Sequence, residues 1–389
     1  MTDLGNAAGK AGVVTDVNSS GVVVGIAQVA GVDQAFEATN GTETPLQSLA
    51  TGHASRVLAI SDNGVIAGTA DDAGDQTHPV VWTASTPSAV PTVLSLPLGG
   101  VSGEVTSINP QGMVTGVSRD ANDTKTPVLW TSPSAGPTVL PASGLLGVLG
   151  QSNINCVPTQ VAPSSSGAAP LVAGTCPNNG HNVPVLWSST GLLSTYVMTP
   201  LSLPPNATSC ETTDVNASGQ VGGTCIVGGT SMAVRWSRNG SPDLLSGVQG
   251  NAATTEIRMN ALGHAVVSYL NQNGNAAVAL WNPDNHTVQP IGSFADGGTW
   301  AAGLSDNDVI AITGETSLGV LAEGVWNNGN LTNLGNLGGP NSSAAAISPN
   351  GRYVAGESER PGETSDPVVD DLSVATAVRP ALVRKTSSH

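Results

Sequence analysis

The stretch Thr106-Ser-Ile-Asn109-Pro-Gln-Gly112-Met-Val-Thr-Gly116, followed by Pro127-Val-Leu-Trp130 and Pro137-Thr-Val-Leu140, constrains the fold more than any other feature, because the chain repeats it. Asn18-Ser-Ser-Gly21, Ser61-Asp-Asn-Gly64, Asn216-Ala-Ser-Gly219, Asn260-Ala-Leu-Gly263, Ser305-Asp-Asn-Asp308 and Ser348-Pro-Asn-Gly351 each stand between apolar runs in the same way. The spacing is 43 residues from Asn18 to Ser61, 48 from Ser61 to Asn109, 44 from Asn216 to Asn260 and 43 from Ser305 to Ser348. A period of this size is that of a four-stranded propeller blade.

Each piece of the unit has a local meaning. Asn or Ser three residues before Gly, between β-branched runs, reads as a hairpin turn: the Gly takes positive φ and the Asn or Ser bonds back to backbone. The Gly four residues further on lies inside a strand, where a missing side chain permits a close approach or marks a bulge. In Pro127-Val-Leu-Trp130 the period of two puts apolar side chains on both faces, as a sheet covered on both sides requires. Trp82, Trp130, Trp187, Trp236, Trp281 and Trp326 all occupy this slot, so they read as interblade core. Ala38 and Val383 are expected to replace Trp in the terminal units.

Composition agrees with many short strands and tight turns. The chain of 389 residues has 48 Gly and 26 Pro, with its apolar residues in short runs and no stretch of helical periodicity. The reading is a single all-β domain over 1–389, a closed eight-bladed β-propeller of antiparallel blades. Its units fall near 6–50, 51–97, 98–142, 143–204, 205–246, 247–292, 293–336 and 337–389. The alternative is seven blades with an elaborated loop, since the fourth unit has a Pro/Ser/Gly/Ala-rich insertion around 157–170 in place of its inner turn. Thr2-Asp-Leu4-Gly5 resembles Thr332-Asn-Leu334-Gly335, which ends a unit, so residues 1–5 are expected to supply the missing outer strand of the last blade and close the ring.

Four cysteines occur. Cys176 and Cys225 each come two residues after a strand Gly, and Cys156 and Cys210 precede the corresponding turns, which predicts the disulfides Cys156–Cys176 and Cys210–Cys225. Disulfides imply an oxidising compartment, so the expectation is a secreted, periplasmic or cell-surface protein. The opening Met1 to Asn6 has no signal-peptide character, and a leader is expected to be absent from this chain. No apolar run is long enough to span a bilayer as a helix.

The formal charge of −16 disfavours binding to phosphate backbones and serves solubility. The acidic run Glu357, Glu359, Glu363, Asp366, Asp370 and Asp371 reads as a solvated loop. The sequence holds no nucleophile elbow, phosphate loop or His-Glu-x-x-His motif, so catalytic residues, cofactors and a metal are assigned to none of it. Asp306-Asn-Asp308 has two of the carboxylates that a Ca²⁺ ion would need, and His264 reads as a surface residue.

The repeated motifs resemble the HAF repeat, a unit of predicted secreted bacterial proteins named for a His-Ala-Phe stretch. Ile108-Asn109 to Gly116 carries the likeness, as does Leu331 to Gly339, while Gln34-Ala35-Phe36 and His78-Pro79-Val80 are drifted forms of the naming stretch. The resemblance implies a β-propeller and export. It transfers no catalytic residue, and the drift of the His argues against a shared role for it.

Propellers bind ligands where inner strands and their loops converge. The binding candidates there are His53, Arg56, Glu104, Asp214, Glu256 and Arg258. Trp300, outside the repeated slot, is a candidate for stacking on a sugar or anchoring a partner. The functional expectation is a monomeric, non-enzymatic binding protein for a surface glycan or an extracellular protein. The alternatives are a structural surface component and a polysaccharide-active enzyme with its site at the channel mouth.

Overall fold

The computed structural model describes residues 1–5, 12–142, 155–165, 168–191, 195–245, 253–295, 297–317, 319–362 and 365–373. Among these, every regular element is a strand, and the strands form eight four-stranded antiparallel sheets. In the third blade Ser102–Ile108, Val114–Arg119, Lys125–Trp130 and Thr138–Val139 follow one another outward, and other blades repeat the order. The ring is therefore an eight-bladed propeller. The fourth unit is a full blade, with Val157–Val161 as its inner strand despite the altered turn.

Closure follows the expected route. Thr2–Asp3 pairs antiparallel with Ser365–Asp371, Thr2 opposite Val369 and Asp3 opposite Val368, so the eighth blade contains both ends of the described chain. Its third strand corrects two expectations. The slot belongs to Pro367-Val368-Val369-Asp370, not to the segment ending at Val383, which lies outside the described residues. The acidic run is no loop either: Glu357 and Glu359 lie on Tyr353–Glu359, and Asp366, Asp370 and Asp371 on the next strand, with Asp366 and Asp370 buried. Glu363 is outside the described residues.

The inner turns do more than reverse the chain. Asn109 Oδ1 accepts the backbone N–H groups of Gln111 at 3.1 Å and Met113 at 2.9 Å, while its Nδ2 donates to the carbonyl of Ala162 in the next blade at 2.9 Å. Asn18, Asn216 and Asn260 make the same cross-blade bond, to Ser61, Ala261 and Ser305. At the Ser61 and Ser348 turns the amide comes from two residues on: Asn63 Nδ2 reaches Gln111 O at 2.9 Å, and Asn350 Nδ2 reaches Ser19 O at 3.0 Å, which joins the eighth blade to the first.

The strand Gly answers a bulge opposite it. The inner strand shifts register between Val105 and Ser107, and a Cβ at Gly116 would collide with the carbonyl oxygen of Glu104. In the sixth blade Val267 takes the Gly position, and there the bulge lies earlier, between Thr254 and Glu256.

Trp130 is fully buried and packs on Ala67, Val81 and Leu94 of the preceding blade. Its indole N–H donates to Ser95 O at 2.8 Å, and Trp82, Trp187 and Trp236 do the same to Gln47, Pro141 and Ser202. Each of these indoles thus adds a hydrogen bond to an apolar seam.

Both expected disulfides form, Cys156–Cys176 and Cys210–Cys225, each within one blade. Cys210 and Cys225 are directly opposite in the register. Disulfides of this kind are made in oxidising compartments. No helix among the described residues is long and apolar enough to cross a membrane.

Asn109→Ala should lower the unfolding free energy by about 1–3 kcal/mol, because buried N–H and C=O groups lose their partners. Asn109→Asp keeps the turn acceptor but sets a carboxylate oxygen against the buried Ala162 carbonyl, and should lose at least as much in the same denaturant titration. The Cys210→Ser, Cys225→Ser double variant should lose about 2–4 kcal/mol, and native protein should take up no thiol-alkylating reagent before reduction.

Candidate functional site at the axial mouth

The ends of the inner strands converge on an axial opening of about 210 Å³ to which every blade contributes. Its lining includes Asp16, Asp62, Asp214 and Asp306, together with Asn109, Gln160, Asn216 and Asn260, and contains no lysine or arginine. Pro110, Pro163 and Pro349 stand at its rim.

The bulges set this arrangement. They turn the residue two before the turn position toward the next blade, and a polar side chain there caps an N–H across the seam. Asp16 Oδ2 accepts from Ile60 N at 2.9 Å, Ser107 Oγ from Val161 N at 3.2 Å, and Asp214 Oδ2 from Met259 N at 3.3 Å. Burial pushes the Asp16 carboxyl up to about 6, the N–H groups of Ile60 and Val17 pull against it, and Asp62 adds to the rise. The Asp214 carboxyl is also raised by burial, with Arg258 opposing. Both residues line the opening. Asp62 and Asp306 sit further out on the turns. Asp62 accepts Ser19 N at 2.9 Å, and Asp306 accepts Ala261 N at 2.9 Å.

A second hollow, of about 570 Å³, lies between the second and third blades at the opposite ends of the strands, lined by Asp72, Asp75, Glu104 and Arg119 among others. Its charges are mutually engaged. Arg119 donates to Glu104 and to Asp123, each at 2.8 Å, His78 Nε2 meets Asp72 at 2.9 Å, and His53 Nδ1 meets Asp75 at 2.9 Å. The bonds from His78, Gln76 and Gly74 hold the Asp72 carboxyl down, at about 2.

The structure therefore divides the sequence candidates. His53 and Glu104 belong to the interblade hollow, His53 through Asp75. Arg56 bridges the first seam to Asp33, with Nε to Oδ2 at 2.6 Å. Asp214 lies at the axial mouth beside Arg258, which pairs with Glu256 at 2.9 Å. Trp300 is not on a connection: it belongs to the inner strand Thr299–Leu304, 42% exposed, its ring close over Gly298. His264 is half-buried rather than a surface residue, with Nδ1 2.9 Å from Asp308 and Nε2 2.7 Å from Asn282 Nδ2. Asp308 is engaged by Asn260 and His264, and among the described residues no group of three or more acidic, His or Cys side chains is placed to hold a metal.

Sequence reasoning missed Asp16, Asp62 and Asp306 as members of one opening. The signal was the position relative to each turn, since Asp16 and Asp214 occupy the same place in their units.

No family model and no curated protein matches the chain. Solved structures do. One of two prolyl endopeptidases studied for inter-domain dynamics aligns at 13% identity and TM-score 0.57, over 94% of this chain and 55% of that one. The dipeptidyl peptidase 4 of Porphyromonas gingivalis aligns at 12% and 0.56, over 95% and 58%. The propeller domain of the Trilobed protease of Pyrococcus furiosus, described as an open velcro, aligns at 11% and 0.51, over 85% and 100%. The chain spans about half the length of the first two. At such identities the likeness is one of fold. It nevertheless overturns the expectation of a glycan- or protein-binding, structural or polysaccharide-active propeller, because these neighbours are propeller-bearing peptidases. That expectation placed Trp300 on a connection, whereas it belongs to an inner strand, with its ring close to Gly298.

Asp16→Asn tests the electrostatics of the mouth. A carboxyl raised in the folded state contributes stability that is complete below its unfolded value and lost as pH rises through the folded one. The native thermal midpoint should therefore fall relative to Asp16→Asn between about pH 4 and pH 6 and run parallel to it above.

Proposed function

We propose that this chain is the propeller module of an exported, peptidase-type protein, and that its axial mouth engages extended, positively charged peptide segments. The observation that carries the reading is the set of four carboxylates, from the first, second, fifth and seventh blades, around one narrow opening without a lysine or arginine in its lining. Clefts lined by one sign of charge concentrate ligands of the other sign. The volume of about 210 Å³ is below the roughly 300–1,000 Å³ of pockets that bury whole small molecules, so it suits a side chain or two of an extended chain.

Likeness to propeller-bearing peptidases over almost the full length supports the peptide as the ligand class, and the two disulfides support export. Catalysis is assigned to no residue of this chain: the bonds of His53, His78 and His264 go to carboxylates and an amide rather than to a hydroxyl nucleophile.

Fluorescence anisotropy with an unstructured Lys- and Arg-bearing peptide and its Asp- and Glu-bearing counterpart tests the reading. The cationic peptide should bind, with affinity falling as salt is raised. Asp62→Asn with Asp306→Asn should weaken it about tenfold, equivalent to about 1.4 kcal/mol, while the amide oxygens keep the turn bonds. Equal binding of both peptides, or of neither, would refute it.

A further inference from the structure

The seam between the seventh and eighth blades differs from the six that hold a Trp. Where those seams place an indole, the eighth blade places Asp370, in Pro367-Val368-Val369-Asp370. From the seventh blade comes Glu323, on Val320–Asn327, with a relative exposure of 0%. Its backbone N–H donates to Ser342 Oγ of the eighth blade at 2.9 Å, which fixes it over the seam. Neither Oε1 nor Oε2 of Glu323 has a hydrogen-bond partner.

The charged groups acting on it come from three strands of the eighth blade. Asp370 lies on the third strand, Glu357 on the second, and the α-ammonium of Met1, paired with Asp370, beside the clasp strand. Glu357 is committed elsewhere, Oε1 accepting Val14 N at 2.7 Å and Oε2 the hydroxyl of Ser343 at 3.1 Å. A negative charge on Glu323, with no donor of its own and no exposure to solvent, would also stand against Asp370 and Glu357.

We propose that this seam is a proton-operated latch: Glu323 keeps the seventh and eighth blades together only while it carries its proton, and losing it loosens the eighth blade with its clasp strand. Burial first, then Asp370 and Glu357, raise the Glu323 carboxyl well above the usual range, with the Met1 ammonium opposing. Stability from such a group is complete below its unfolded value and lost as pH rises through the folded one. The latch is shut in acid and opens toward alkaline pH.

Hydrogen exchange of the native protein across the pH range, corrected for intrinsic rates, reads this directly. Protection of Ser365–Asp371 and Val320–Asn327 should fall about tenfold or more with rising pH, while Lys125–Trp130, in a Trp-filled seam, stays unchanged. In Glu323→Gln the fall should disappear. Glu323→Met, which needs no hydrogen-bond partner, should behave likewise and serves if the Gln variant does not fold. A native seam whose protection ignores pH, a fall shared equally by all blades, or a variant profile that coincides with the native one overturns the proposal.

Discussion

The ring depends on a side-chain amide that bonds in two directions. At each Asn turn the oxygen holds its own hairpin while the nitrogen reaches a carbonyl of the next blade, so one residue couples local reversal to ring assembly. The amide is buried, and removing it would leave orphaned groups on both sides of a seam. The Ser61 and Ser348 turns show that the requirement is for the bond rather than the position, because Asn63 and Asn350 supply it from two residues further on. Ser61 and Ser348 meanwhile donate to the amide oxygens of those same residues, at 2.5 Å and 2.7 Å.

Around that polar inner ring the seams are filled in two ways. Most are apolar, with a Trp whose N–H is satisfied by a carbonyl of the preceding blade. The seam between the seventh and eighth blades holds carboxylates instead. Glu323 and Asp370 lie between the seventh and eighth blades, and Glu37, pushed up to about 7 by burial, lies in the first. With Asp16 and Asp214 at the mouth, the same sign of pH dependence recurs at several places in the ring. It arises because a highly acidic chain has built carboxylates into seams where only their neutral form is comfortable.

Much of the architecture was legible because its determinants are local. A turn residue, a Gly of positive φ and a two-residue alternation ending in Trp need no knowledge of distant partners. The third strand of the eighth blade was misread because Asp370 stands where Trp was sought, and its flanking acids imitate a solvated loop. The candidate site was less legible. His53, Arg56, Glu104 and Trp300 were singled out by type and rough position, yet none of them lines the axial mouth: His53 and Glu104 belong to the interblade hollow and Arg56 to the first seam. The mouth is composed of side chains that meet only because a bulge redirects them, as at Asp16 and Asp214. Cross-seam bonds are likewise invisible in one unit, since each partner lies about a repeat away.

The placement of the disulfides has a mechanical consequence. Both lie inside single blades, joining adjacent strands of the fourth and the fifth, and no covalent link other than the chain itself spans a seam. Under load or thermal agitation those two blades behave as stiff wedges, and the compliance of the ring is concentrated in the joints between wedges. The bore can then widen or narrow through small rotations about the joints while every sheet keeps its register.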